Sequence, residues 1–212
     1  MTDIIPIFPL NAVLLPRMPL PLHIFEQRYK QMLADCEQHN RSFGVVPVLD
    51  QRMCAMGCAA EIERVVQRYA DGRADILTFG TERFSIGRVN HDKPYLQAEV
   101  RYFRDAAPED PVEIERLGAH ARELLLQFAE TQGQQLNENA LGRVGLEDLS
   151  FLLASNEVFN HREKRLFLET RSTAERLRCA VPVLERGIAR RRSRRQLRRF
   201  FGESRDLDNL SN

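Results

Sequence analysis

The chain has no tryptophan, three lysines among its 31 basic residues and four cysteines in 212 residues. Each shortage narrows the field. Four cysteines, Cys36, Cys54, Cys58 and Cys179, are too few for a disulfide scaffold in a chain of this length and point to use as small packing residues. Cys54 and Cys58 have a spacing that zinc can use, but no second close pair of Cys or His follows. His23, His39, His91, His120 and His161 are scattered singly, so no metal is expected. No run of 18 uncharged apolar residues occurs, so no membrane-spanning helix and no membrane partner are expected. The N-terminus lacks the basic start and unbroken apolar stretch of a signal peptide, which makes the cytoplasm the expected compartment.

Catalytic signatures are missing too. There is no G-x-x-x-x-G-K-[ST] phosphate cradle, no G-x-S-x-G elbow and no H-E-x-x-H helix. Lys30, Lys93 and Lys164 belong to no motif that would build a Ser–Lys dyad. His23 and Glu26 have the spacing of an acid/base pair on one helix face. A Glu near a helix N-terminus and a His that caps or packs there account for the same pair without chemistry. The expectation is a non-catalytic protein with no cofactor.

What the sequence has in abundance is proline at its start and arginine at its end. Five of the ten prolines fall in the first 21 residues, amid an almost unbroken apolar run, IIPIFPLNAVLLPRMPLPLHIF. No helix or central strand tolerates so many missing N–H groups, whereas edge strands and rigid turns do. From Arg186 onward nine arginines face Glu203, Asp206 and Asp208, a balance of +6, so the preceding body carries −5. That asymmetry concerns partners rather than fold.

Periodicity predicts short strands over 4–8 and 12–15, then a helix over 24–38 that places Phe25, Tyr29, Met32, Leu33 and Cys36 on one stripe. Strands follow at 43–49 and 57–69, with a hairpin at Ala70-Asp71-Gly72. The stretch from Ala74 reads as two strands broken at Gly80, and 94–103 closes the β-rich half. Asp110-Pro111-Val112-Glu113 starts a helix that ends near Gly133. Residues 134–144 read as loop. Helices then follow from LEDLSFLLASN, from Asn160 and from Ser172, the last kinked at Pro182. The chain divides into 1–105, 106–185 and a basic tail, 186–212.

FPLNAVLLPRMPLPLHIFEQRYKQML closely resembles the opening of the N-terminal domain of Lon proteases. The likeness continues through FGVVPV and MGCAAEIERVVQRYADGRADILTFGTERFSI, with that family's G-x-x-A-x-I strand, DG hairpin and GxxRF strand, and resumes at LSFLLASNEVFNHREKRLFLETRSTAERL. It implies an α+β fold: an N-terminal PUA-like antiparallel β-barrel with one early helix, then a C-terminal α-helical bundle. In full-length Lon this domain recognises unfolded or tagged substrates, while separate ATPase and protease domains do the chemistry. The present sequence stops before either, so the resemblance implies a stand-alone polypeptide-binding module, with a separate Lon-type protease as a candidate partner. Three departures stand out: Arg17 where glycine is common, Gln27 in place of a proline, and the arginine tail.

The expected contact surface is the rim of proline-rich turns with Arg17, Met18, Leu20, His23 and Tyr29, while Leu22, Ile24 and Phe25 plug the barrel. A different class of function is nucleic-acid binding, since PUA-like barrels elsewhere bind RNA. It would use Arg190, Arg191, Arg192, Arg194, Arg195, Arg198 and Arg199 as a polyanion-binding tail. The acidic body and the lack of an aromatic stripe on the sheet weigh against it. The same tail suits an acidic partner.

Overall fold

The computed structural model describes residues 3–107 and 110–201, except for the side chains of 198–201. Seven strands come first, β1 (Asp3–Leu10), β2 (Pro19–Ile24), β3 (Phe43–Leu49), β4 (Arg52–Met53), β5 (Met56–Arg68), β6 (Ala74–Asn90) and β7 (Gln97–Phe103), with α1 (Gln27–His39) between β2 and β3. The helical half follows: α2 (Pro111–Thr131), α3 (Glu138–Gly142), α4 (Leu146–Ser155), α5 (His161–Glu169) and α6 (Thr173–Phe201). Among the described residues no helix is long and apolar enough to cross a membrane.

The sheet runs β1-β7-β6-β5-β3, and β1 also pairs with β3, which closes the circuit into a barrel. All these pairings are antiparallel except β1 with β3. β1 changes partner along its length. Asp3 to Pro6 pair with β7, and Ile7 to Leu10 pair with β3. Each half has one unpaired flank, which is why Pro6 and Pro9 fit a strand at all. β2 lies off the circuit and pairs only with β6 among the described strands, from Pro19↔Phe79 to Ile24↔Ala74.

Inside the barrel the Phe84 ring lies over two glycines: a Cβ at Gly44 or Gly57 would fall 2.5 or 2.6 Å from its Cζ. Ile5, Ile7, Val46, Ala59, Ala98 and Val100 complete that cluster. A second and larger core is continuous from the barrel into the helices. It joins Phe8, Leu14, Leu15, Tyr29 and Met32 with Leu124, Phe128, Phe151, Phe167 and Leu184.

The helix starts agree with the sequence: Asp110 accepts from the N–H groups of Val112 and Glu113, Asn160 and Glu163 form a capping box, and Ser172 Oγ accepts from Glu175 N. Gly72 turns the β5–β6 hairpin at φ 81°. Several boundaries differ. Residues 12–15 are not a strand: Leu14 and Leu15 leave the sheet and enter the core as a buried loop. β2 occupies the following segment and runs through Ile24, so α1 begins only at Gln27. β6 continues through Gly80 without a break, and β7 starts at Gln97 rather than 94. Within 134–144 lies the short α3, capped by Asn137 and anchored by the buried Leu141. α6 continues through Pro182 and through the arginine segment to Phe201, so residues 186–201 of the stretch read as a tail extend the last helix, while 202–212 lie outside the described residues.

The two halves are joined by one buried ionic cluster. Asp105, just past β7, accepts from Arg83 of β6, from Thr173, and from Arg176 of α6 through both carboxylate oxygens, at 2.9 and 2.6 Å. Both arginines also donate to Thr170 O at the end of α5, and Arg176 Nε donates to Ser150 Oγ of α4. Arg176 stacks on Phe151, while Arg83 contacts both Phe151 and Phe103. Burial alone would raise the Asp105 carboxyl, but the hydrogen bonds from Arg176 and Thr173 and the two guanidinium charges hold it below the usual range.

Because the folded value lies below the unfolded one, the carboxylate stabilises the fold fully above the unfolded value, near pH 4, and loses that effect as pH falls through the folded value. Asp105→Asn leaves two buried guanidinium groups without their shared counter-charge. We expect a loss of about 3–5 kcal/mol in urea unfolding at neutral pH. We also expect a shallower loss of stability than the parent shows below pH 4. Parent-like unfolding would refute the clamp.

Candidate functional site

The proline-rich strand β2 sets a simple parity. Leu20, Leu22 and Ile24 pair with Thr78, Ile76 and Ala74 on the inner face, where all but the half-buried Leu20 are buried. Pro19, Pro21 and His23 pair with Phe79, Leu77 and Asp75 on the outer face. The three β2 residues there are exposed, and their three β6 partners are partly exposed. Phe25 follows directly and is 59% exposed. The result is an apolar strip of Phe25, Pro21, Leu77, Pro19 and Phe79 on the outside of the barrel.

A turn fixes the start of this strip. Met18 N donates to Leu15 O, with Pro16 second and Arg17 third in the turn. Arg17 has φ 63°, the left-handed conformation that such a turn requires at its third residue and that glycine adopts most easily. The turn then locks onto β6: Arg17 N donates to Gly80 O, and Gly80 N donates to Met18 O. A side chain at Gly80 would collide with the Leu15 carbonyl, so glycine here serves close backbone approach and not a break in the strand.

Pro19 and Pro21 cannot donate to a ladder, so the strand they occupy must use its even-numbered residues toward β6. The outer edge of β2 therefore lacks N–H groups at both prolines. An added strand would find few donors there, and the surface is suited to side-chain contact rather than to strand addition.

Within the strip, between Pro21 and Phe25, stands a polar-aromatic group. His23 Nδ1 lies 2.6 Å from Asp75 Oδ1, and Tyr69 OH donates to Asp75 Oδ2 at 2.7 Å. The hydrogen bonds from His23 and then Tyr69 hold the Asp75 carboxyl below its usual range, and the same Asp75 bond raises the Tyr69 phenol. The carboxylate only accepts, so Nδ1 carries the proton. The His23 ring stacks on Phe25, with centroids 5.9 Å apart and planes at 24°. Glu26 bonds instead with Arg28, so the His23/Glu26 pairing suggested by sequence spacing is replaced by His23/Asp75. Among the described residues no group of three His, Cys, Asp or Glu is placed to hold a metal.

Of the five residues read from sequence as a contact surface, Arg17 and His23 are exposed beside the strip. Met18 and Leu20 are half-buried against the core. Tyr29 is 8% exposed, its ring 4.3 Å from that of Phe8, and does not share this surface. Leu22 and Ile24 are buried as expected, but Phe25 is not. Phe25 was placed inside by helical spacing, whereas it continues the outward parity of a strand. Reading PLPLHIF with a period of two identifies the exposed set Pro19, Pro21, His23 and Phe25 directly. Of the arginines read as a polyanion-binding tail, Arg190, Arg191, Arg192, Arg194 and Arg195 lie on α6, whereas the side chains of Arg198 and Arg199 lie outside the described residues.

Residues 4–186 match the family model described as the ATP-dependent protease La (LON) substrate-binding domain. Similar proteins include Lon protease of Roseiflexus castenholzii, 28% identical over 195 residues, and Lon protease of Cytophaga hutchinsonii, 24% identical over 199 residues. These alignments cover 87% and 88% of the chain but 24% of each relative, so the chain spans about a quarter of their length. Among solved structures, the N-terminal domain of Mycobacterium avium complex Lon protease superposes with a TM-score of 0.73 at 22% identity, covering 86% of this chain and 98% of that one. A Lon N-terminal domain protein from Xanthomonas campestris gives 0.66 at 26% identity, covering 85% and 98%.

The Leu15–Met18 turn yields opposite expectations for two small changes. Arg17→Gly relieves the left-handed strain and should raise stability by up to about 1 kcal/mol in urea unfolding. Gly80→Ala forces the turn off β6 and should lower it by about 1–3 kcal/mol. A destabilising Arg17→Gly would overturn the strain assignment, and a neutral Gly80→Ala the close approach.

Proposed function

Because the chain belongs to the LON substrate-binding domain family, we propose that it binds unfolded or partly folded polypeptide through the outer face of β2 and β6, with no catalytic step of its own. The observation that carries this reading is the exposed strip of Phe25, Pro21, Leu77, Pro19 and Phe79. Apolar side chains of an unfolded chain would be buried against it. Proline and aromatic groups contribute contact area while having little conformational freedom to lose.

Arg17 borders the strip at one end, and the His23–Asp75 pair sits within it between Pro21 and Phe25, so the surface offers polar contacts beside its apolar ones. A Lon-type protease is the partner that this reading anticipates, with the module presenting polypeptide to it.

Phe25→Asp is the sharpest test, since Phe25 is the one aromatic side chain of the strip in the exposed class and is no part of the buried core. If binding covers even about 60 Å² of its ring, at roughly 25 cal/mol per Å² the loss is about 1.5 kcal/mol, or roughly tenfold in affinity. Affinity for reduced, carboxymethylated casein, measured by fluorescence anisotropy, should fall by that order while the melting temperature stays unchanged. Equal affinity of variant and parent would refute the site, and no binding by the parent would refute the function.

A further inference from the structure

The family match ends at residue 186, but α6 runs on to Phe201 and carries seven further arginines with it. Arg186, Arg190 and Arg194 recur every four residues and so form one stripe along the helix, with Arg191 and Arg195 beside them. They line a groove of about 740 Å³ that also includes Val158 and Asn160, from the loop between α4 and α5, and Val183 of α6. Gly187 brings the two sides together, since a Cβ there would meet Val158 Cγ1 at 2.8 Å. The groove is therefore a built cleft between helix and loop rather than an open helix face.

The chain itself supplies one anionic partner: the Glu157 carboxylate accepts from Arg191. Arg192 donates to Gln127 Oε1. Arg186, Arg190, Arg194 and Arg195 have no side-chain partner among the described residues. Four unneutralised guanidinium groups over fewer than three helical turns repel one another, and an anionic ligand relieves that repulsion.

We propose that this groove docks an acidic segment of a partner polypeptide, distinct from the polypeptide held on β2 and β6. Its carboxylates would engage the arginine stripe in forked pairs, and an apolar side chain between them would contact Val158 and Val183. Three features favour a peptide over a nucleic acid. Among the described residues no aromatic side chain lines the groove to stack a base. Glu157 and Glu163 line it and oppose an evenly charged phosphate backbone, whereas a peptide can set an uncharged residue opposite each. The first 185 residues carry −5, so a polyanion longer than the groove meets repulsion.

The test uses the full chain and three labelled probes at near-physiological salt, followed by fluorescence anisotropy: a dodecapeptide of glutamates containing two leucines, an all-glutamate dodecapeptide, and a single-stranded oligonucleotide of matching charge. The leucine-bearing peptide should bind most tightly. Combined Arg186→Gln, Arg190→Gln and Arg194→Gln should weaken it by at least roughly tenfold. Removal of the same charge from the sheet, by Arg52→Gln, Arg88→Gln and Arg101→Gln, should cost less than about threefold. Tighter binding of the oligonucleotide would overturn the proposal in favour of nucleic acid. Equal losses in the two triple variants would reduce it to net charge, and indifference to leucine would remove the apolar contact. Because the strip on β2 and β6 is untouched, casein binding should remain at parent level in both variants.

Discussion

Two guanidinium groups sharing one buried carboxylate hold this molecule together. Arg83 and Arg176 are almost completely buried, and each would be prohibitively costly to desolvate without Asp105. The carboxylate alone leaves one positive charge over, and the cluster manages the surplus in two ways. Carbonyls at Leu168 and Thr170 accept the remaining N–H groups. Glu147 stands 3.8 Å from Arg83 at the solvent edge. The geometry is demanding because β6, the exit of β7, α4, the end of α5 and the start of α6 must all converge on it. A barrel and a helical bundle that meet on such a cluster have one relative orientation, because a slipped arrangement would strand a buried charge.

The second constraint is proline. A strand with proline at alternate residues has one flank that cannot donate, so β2 can lie only at an edge, with that flank outward. Edge strands are prone to uncontrolled pairing, and missing N–H groups blunt that tendency. The same residues that protect the edge also form the apolar outer strip, so the protein exposes a sticky face without exposing a template for strand addition. The cost is concentrated at Arg17, whose left-handed backbone closes the turn that delivers β2 to β6.

The fold was legible where local chemistry decides it. Caps at Asp110, Asn160 and Ser172, the Gly72 hairpin and the alternation of β5 and β7 depend on near neighbours and could be read from spacing. What could not be read depends on contacts distant in sequence. Gly80 looks like a strand break until the Leu15 carbonyl, 65 residues earlier, is placed against it. Leu14 and Leu15 look like strand residues, but the turn after them leads into the core. α3 has too little apolar periodicity to announce itself and rests on Leu141 and its Asn137 cap. At the candidate site, the prolines and His23 were legible as surface. Phe25 was not, because a helix expected from residue 24 but beginning at Gln27 replaces the parity of a strand with helical spacing at that position.

The two candidate surfaces are linked through the ionic cluster. β6 carries Leu77 and Phe79 a few residues before Arg83, and at about 3.3 Å per strand residue they lie within roughly 20 Å of it. α6 carries Arg186 to Arg194 after Arg176, at about 1.5 Å per residue and so within roughly 30 Å. Each surface thus rests in large part on a regular element that is also anchored at Asp105, β6 through Arg83 and α6 through Arg176. A preformed surface places the ordering cost on the ligand alone, which would suit the unfolded polypeptide proposed for the strip. It also fixes the separation of the apolar strip from the arginine groove, so a partner engaging both must supply an apolar and an acidic segment at a matching distance.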